Sequence, residues 1–385
     1  MRATFISTSV ELGLRFVGIW PGLPYGTVTW YAYMTGLMVG TYFEYVYIFH
    51  HFDISNISNL IDALSIALAG SLGFFKLISL WSRRRIFYDI LLAMDQDWSD
   101  ALARDRSVLS VMSSNANLSR RCSNVLISIN TTAAICYTAS SFTRHSAGEN
   151  LNDSVRLLPV KMQFPFEVHA SPFFELLATA QLFHMVSIAA LVAMINSLII
   201  TLILHVSGQI DILRRELLTV CDEHSQSGSI IAGIRLLITR HQRIITFSDN
   251  IEELYSEIAL MQFLSNTVVM CCIGFTIIGS IAEDGATIVL LKSAIFYIAV
   301  TLEAFIFCFV GEYLSAKSKS IGDAVYESLW YNKTAAECRI LLFVILRSQK
   351  RLTITAGNVV DLSLEGFTSV MKASASYMSV LHAMY

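Results

Sequence analysis

Proline, charge and paired cysteine are all scarce in this sequence, and each scarcity excludes something. There are five prolines in 385 residues, and none follows Pro172. The last four candidate membrane helices therefore carry no proline break of the kind used at transporter binding sites. Charged residues make up 15% of the chain, against roughly 25% in an ordinary soluble domain. The net charge of -3 excludes the basic field of a nucleic-acid binder. The seven cysteines (Cys122, Cys136, Cys221, Cys271, Cys272, Cys308 and Cys338) include no C-x-x-C pair, so they read as small apolar fillers or free thiols. No phosphate loop, nucleophile elbow or zinc spacing is present. The only tight polar cluster, His50, His51 and Asp53, reads as membrane-edge residues. We therefore expect no enzyme, no cofactor and no metal site. Glu11 and Arg15 interrupt the first apolar stretch, which makes a poor signal peptide.

What is abundant is apolar sequence in long runs. Hydrophobic residues make up 54% of the chain and mean hydropathy is +0.57. A bilayer core needs roughly 20 mostly apolar residues per helix. Seven windows meet that requirement, at approximately 29–49, 59–80, 122–142, 173–205, 260–281, 289–312 and 359–381. The expected fold is thus an all-α membrane protein with seven transmembrane helices. Its organisation reads as an N-terminal segment 1–28 and helices 1–4 over 29–205, with an outer loop at 143–170. A cytosolic extension at 206–259, helices 5–6 over 260–312, cytosolic anchor helices at 313–358 and helix 7 with a short end over 359–385 complete it.

Lys and Arg placement sets the orientation. Of 27 such residues, 21 fall on the side of the N-terminus and only three, Arg144, Arg156 and Lys161, on the other. The expected topology has a cytoplasmic N-terminus and an extracellular C-terminus. Asn152 heads an Asn-Asp-Ser sequon in the 143–170 loop, on the correct side for glycosylation. A rhodopsin-like metabotropic receptor needs the opposite topology and, usually, a cysteine in that loop. In 230–258, apolar residues recur at helical spacing between charges, so an amphipathic helix leads into the fifth span. It either packs on its own chain or forms a platform between subunits.

In the seventh window Asp361, Glu365, Ser369, Lys372, Ser376 and Ser379 follow at steps of three and four, which sets them on one helical stripe. Ionisable residues in a membrane normally face a bundle interior or water. The stripe reads either as a wet path or as small residues allowing close helix packing.

Residues 326–381 hold a denser pattern. Tyr326 and Trp330 precede Arg347-Ser348, Thr355-Ala356-Gly357, Leu362-Ser363, Phe367, Lys372 with Ser374, and Tyr377. This order and spacing resemble the C-terminal signature of the insect odorant receptors. Gly18-Ile19-Trp20-Pro21, Pro159, Pro165 and Ser171-Pro172 are weaker echoes. The length and inverted topology match over the whole chain.

The resemblance implies a subunit of a tetrameric, ligand-gated, nonselective cation channel in a sensory-neuron plasma membrane. Its partners would be a common co-receptor, a small volatile ligand and permeating cations. The chain looks like a tuned subunit, because it lacks a long insertion between the fourth and fifth spans and ends in SVLHAMY. A gustatory-type channel of the same superfamily is the alternative. By family analogy and depth in each span, the ligand pocket is expected among Leu68, Ser71, Leu72, Ala134, Tyr137, Phe183, His184, Ile188, Phe296 and Tyr297. Helix 7 is expected to line the pore with Glu365, Ser369, Lys372, Ser376 and Ser379. Val380 matches by position an apolar constriction, braced by Tyr377 and Leu381. Lys372 would either pair with an acidic group such as Glu365, from this or an adjacent chain, or snorkel away from the pore axis.

Overall fold

With no proline to interrupt them, the later helices run far beyond one bilayer. In the computed structural model all residues are described other than 1–5, 53–56, 147–157, 167, 169, 223–226, 282–286 and 385. The helices are α1 (Thr8–Phe16), α2 (Gly26–His50), α3 (Ile57–Ser82), α4 (Arg84–Arg104) and α5 (Arg106–Ser146). They continue as α6 (Phe173–Asp222), α7 (Ser227–Ile281), α8 (Thr287–Glu327), α9 (Ala335–Gln349) and α10 (Leu364–Met384). At 50 and 55 residues, α6 and α7 are each roughly 75–80 Å long, more than twice the thickness of a hydrocarbon core. Each must therefore carry a soluble extension as well as a membrane segment.

Among the described residues, four helical stretches are long and apolar enough to cross a membrane: Leu60–Ser82, Phe173–Val220, Ile231–Ile281 and Thr287–Glu327. α2, α5 and α10 have the length but are diluted, α2 by tyrosines and glycines, α5 by Ser, Asn and Thr, and α10 by its polar stripe. Six of the seven sequence windows fall within a single helix. Residues 81–121 differ from a plain connection, since they fold into α4 and the first half of α5. Residues 8–16 also form a helix, whose Val10 and Leu14 are fully buried.

The core is organised around α6. From Leu191 to Gly208 all its side chains are buried except Ile200, which is half-buried. A helix that is apolar all round belongs inside a bundle, and the main cluster joins it to α1, α2, α3, α4, α7, α8 and α9. Polar pairs hold the extensions together. Lys317 meets Asp211 at 2.7 Å, and Arg240 pairs with Glu216. Arg83 at the head of α4 pairs with Glu257 of α7.

The seventh window is corrected by the structure. Its helix begins at Leu364, and Thr355–Asp361 forms a small antiparallel hairpin, so Asp361 lies outside the helical stripe. The Val359 amide donates to the Ala356 carbonyl, and both central turn residues have positive φ, Gly357 at 63° and Asn358 at 58°. That is the geometry a Gly-Asn turn favours. The hairpin docks on α7. The Gly357 amide donates to the Ser256 carbonyl at 2.9 Å, and the Thr355 amide and hydroxyl both donate to the Glu252 carboxylate. A Cβ on Gly357 would lie 2.7 Å from the Leu260 side chain, so close approach and φ both favour glycine. Ala356 is buried and Ser348 packs against Gly322. The Thr-Ala-Gly and Arg-Ser motifs thus have a local physical role. They seat the segment that aims α10.

Candidate functional site

The end of the bundle where α8 begins is called here its upper end. A cavity sits below it, among α3, α5, α6, α7 and α8. It offers about 100 Å³ to the centre of a water-sized sphere, several times the ~10–15 Å³ that one water needs. Ile66, Gly70, Leu72, Ala134, Ile188, Val192, Val269 and Phe296 make its wall mostly apolar. Small residues create it, because alanines and glycines face each other where large aliphatic residues would fill the bundle.

Polar groups close both ends. Above, Asp62 receives a hydrogen bond from Tyr137 at 3.2 Å and lies 3.3 Å from Lys292 and 3.4 Å from Lys161. The Lys292 ammonium also sits 3.8 Å from the centre of the Tyr137 ring, a cation–π contact. Below, the Gln262 amide donates to Glu303 at 3.0 Å and to Asn266 at 2.7 Å. Glu303, Asn266, Ser265 and Asn130 all reach the cavity wall. Nearby, buried Lys76 donates to Asn196 at 3.0 Å. Among the described residues no group of three or more His, Cys, Asp or Glu could hold a metal ion.

The structure brings five of the ten expected pocket residues to this cavity: Leu72, Ala134, Tyr137, Ile188 and Phe296. The other five lie elsewhere. Phe183 is 65% exposed and points away from the bundle. His184 faces α2, with its Nε2 3.7 Å from Glu44 and its ring against Gly40. Ser71 shares a 2.9 Å hydrogen bond with Tyr45. Leu68 and Tyr297 pack beside the cluster of Val269, Met270 and Val370. Depth and family analogy do not fix helix rotation, and helical direction carries these five elsewhere. The floor residues Ser265, Asn266, Asn130 and Glu303 were absent from the expected set. Only Glu303 carries a clear signal in the sequence, since a carboxylate in the middle of an apolar span marks a functional position.

α10 packs on α7 and α8 with one face only. Val370 and Ser374 are buried there, and Ser374 donates to the Val370 carbonyl at 2.9 Å. The opposite face carries Glu365, Ser369, Lys372, Ser376 and Ser379, all exposed. Tyr377 and Val380 are exposed too, at 59% and 56%. Glu365 and Lys372 form no ion pair with each other within the chain among the described residues. Leu381 and Asn152 fall outside the residues whose side chains are described.

Comparisons with known proteins identify the family and the fold. The family model described as 7tm Odorant receptor matches residues 56–375. The chain is 28% identical over 231 residues to odorant receptor Or2 of Anopheles gambiae, covering 60% of this chain and 56% of that protein. It is 30% identical over 235 residues to odorant receptor 10 of Aedes albopictus, covering 60% and 61%. These matches thus span less than two thirds of either relative. A third, odorant receptor 22c of Drosophila melanogaster, is 22% identical over 398 aligned residues, covering 95% of this chain and 93% of that one. The olfactory receptor OR5 of Machilis hrabei, solved with eugenol, superposes with a TM-score of 0.83 at 12% identity, covering 98% of this chain and 97% of that one. That likeness establishes the fold. The family consists of membrane receptors and not enzymes, and this chain belongs to the 7tm odorant receptor family.

Proposed function

We propose that the chain is the odorant-binding subunit of a heteromeric, ligand-gated, nonselective cation channel, assembled with a common co-receptor in the plasma membrane of sensory neurons. The observation that carries this reading is the naked polar face of α10. Glu365, Ser369, Lys372, Ser376 and Ser379 are all exposed in the single chain, on a helix long enough to span a bilayer. Hydrocarbon is a costly neighbour for such a stripe. Water in a pore shared between chains satisfies it. Exposed Leu342, Phe343 and Leu346 on α9 add an apolar patch below the spans, suited to contact between subunits. Val380 then narrows the pore at its upper end, and dewetting between apolar side chains closes it.

The cavity takes the ligand, and the structure of the Machilis hrabei receptor with eugenol supports a small organic molecule. Such a ligand opens the pore only by binding the open state more tightly. The upper end is extracellular, which puts the basic extensions in the cytosol and makes Asn152 a glycosylation acceptor. A tag before residue 6 that is labelled on intact cells contradicts this topology.

The test is whole-cell recording from cells that express the chain with the co-receptor. Odorant-evoked currents that persist when G-protein signalling is blocked are the expected result. Currents that vanish under the block support a metabotropic receptor instead.

A further inference from the structure

Three polar residues stand out against the apolar wall of the cavity. Asn266 is 2% exposed, and its amide nitrogen has no hydrogen-bond partner within the chain among the described residues. The neighbouring Ser265 hydroxyl is likewise buried and without a partner there. Glu303, the third, is engaged by Gln262. Asn130 is different, since its amide donates to the Leu126 carbonyl at 3.0 Å within its own helix.

The orientation of Asn266 follows from its neighbours. Gln262 turns its amide nitrogen toward Glu303, where a carboxyl oxygen accepts from it at 3.0 Å. The same nitrogen, with its second hydrogen, donates to the Asn266 carbonyl at 2.7 Å. Asn266 is thereby left with its NH₂ group free to donate into the cavity. Turning over Gln262 would set two acceptors face to face, and turning over Asn266 two donors.

We infer that Glu303, acting through Gln262, orients Asn266 as a buried hydrogen-bond donor that selects neutral ligands bearing an acceptor oxygen, ketones and alcohols, over hydrocarbons of the same shape. The inference rests on the cavity being the odorant site. An alcohol also donates to Ser265, whereas a ketone can only accept. A hydrocarbon leaves both buried groups unmatched, and a site built to hydrogen-bond its ligand discriminates most strongly against the analogue that lacks the polar atom. Glu303 is a positioning residue in this scheme and touches the ligand through no bond of its own.

The probes are matched series of n-alkanes, 2-alkanones and 1-alkanols with their phenyl-bearing counterparts, applied at known aqueous concentration to the chain co-expressed with its co-receptor. Half-maximal concentrations for current are read, together with the heat stability each probe confers on the solubilised channel. Ketones and alcohols should act at concentrations at least about tenfold below their hydrocarbons. Asn266→Leu, of similar volume, should erase that gap. Ser265→Ala should weaken alcohols, which can also donate to its oxygen, more than ketones. Glu303→Gln, which frees Gln262 to turn, should narrow the gap without abolishing hydrocarbon responses. Equal sensitivity to hydrocarbons, a gap that survives Asn266→Leu (polar atoms served by bound water only), or no response and no stabilisation from any probe overturns the inference. Ala134→Phe separates this failure from that of the underlying reading. It fills the cavity, and a variant at the cell surface that still answers the active probes like the parent shows that the ligand binds elsewhere.

Discussion

α6 and α10 are dressed in opposite ways. α6 is wrapped by its own chain over Leu191–Gly208 and carries little polar surface that is not paired inside. Ser119 and Thr201 meet at 2.7 Å, and Tyr255 donates to the Ile195 carbonyl at 3.0 Å. α10 has one wrapped face and one bare polar face. The contrast separates what a single subunit must complete from what an assembly must complete. A helix finished within its chain sets stability. One left half-finished sets what the chain does with its neighbours and with ions.

Substitutions should divide along the same line. The largest effect is expected in α6. Leu198 and Leu202 are fully buried, and replacing either with Ala should cost about 2–5 kcal/mol, read as a lower melting temperature and loss from the cell surface. Next comes the seat of α10. Gly357→Ala forces a positive φ and a 2.7 Å approach to Leu260. A cost of roughly 1–3 kcal/mol, with weakened odorant gating, is expected, and a variant of unchanged stability and gating would contradict the role given to the hairpin. On the bare face, Val380→Ala and Val380→Ser should leave folding within about 0.5 kcal/mol of the parent while raising leak current or altering ion preference. Normal closure and permeability in both place the gate elsewhere.

The smallest expected effect is a pH dependence in the α7 extension. Burial first, then the nearby Arg347 charge, holds His241 below the ordinary imidazole value. The unfolded chain therefore binds this proton more readily, so stability is present above the unfolded pKa and falls as pH drops below it. Lowering pH from about 7.5 to about 6 should reduce the melting temperature slightly, and His241→Gln should flatten that slope. An unchanged slope removes His241 as its source.

Much of this division can be read in the residues, and where it cannot there is a physical reason. The period and length of the apolar runs give the helices, because burial in lipid and in protein both demand a continuous apolar surface. The spacing of Glu365, Ser369, Lys372, Ser376 and Ser379 gives the polar face. The hairpin at 355–361 escapes that reading because its strands are two residues each and its turn rests on Gly357 and Asn358 inside an apolar context. The cavity is only half legible. Its lining depends on helix rotation, which sends His184 toward Glu44 and Phe183 outward although both lie within about a turn and a half of Ile188 on the same helix. The order Gln262, Asn266 and Glu303 is visible as letters, yet the network needs α7 and α8 side by side.

The central claim, that the bare face of α10 lines a wet pore, is tested most directly by cysteine substitution along that helix. Ser369, Ser376 and Ser379 are replaced one at a time, with Ser374 as the buried control, in a channel whose exposed Cys136 is removed. A charged thiol reagent is applied while odorant holds the channel open. Block of current at positions 369, 376 and 379, with none at 374, is the predicted result. Block at 374 alone, or at none of the four in channels that still conduct, contradicts it.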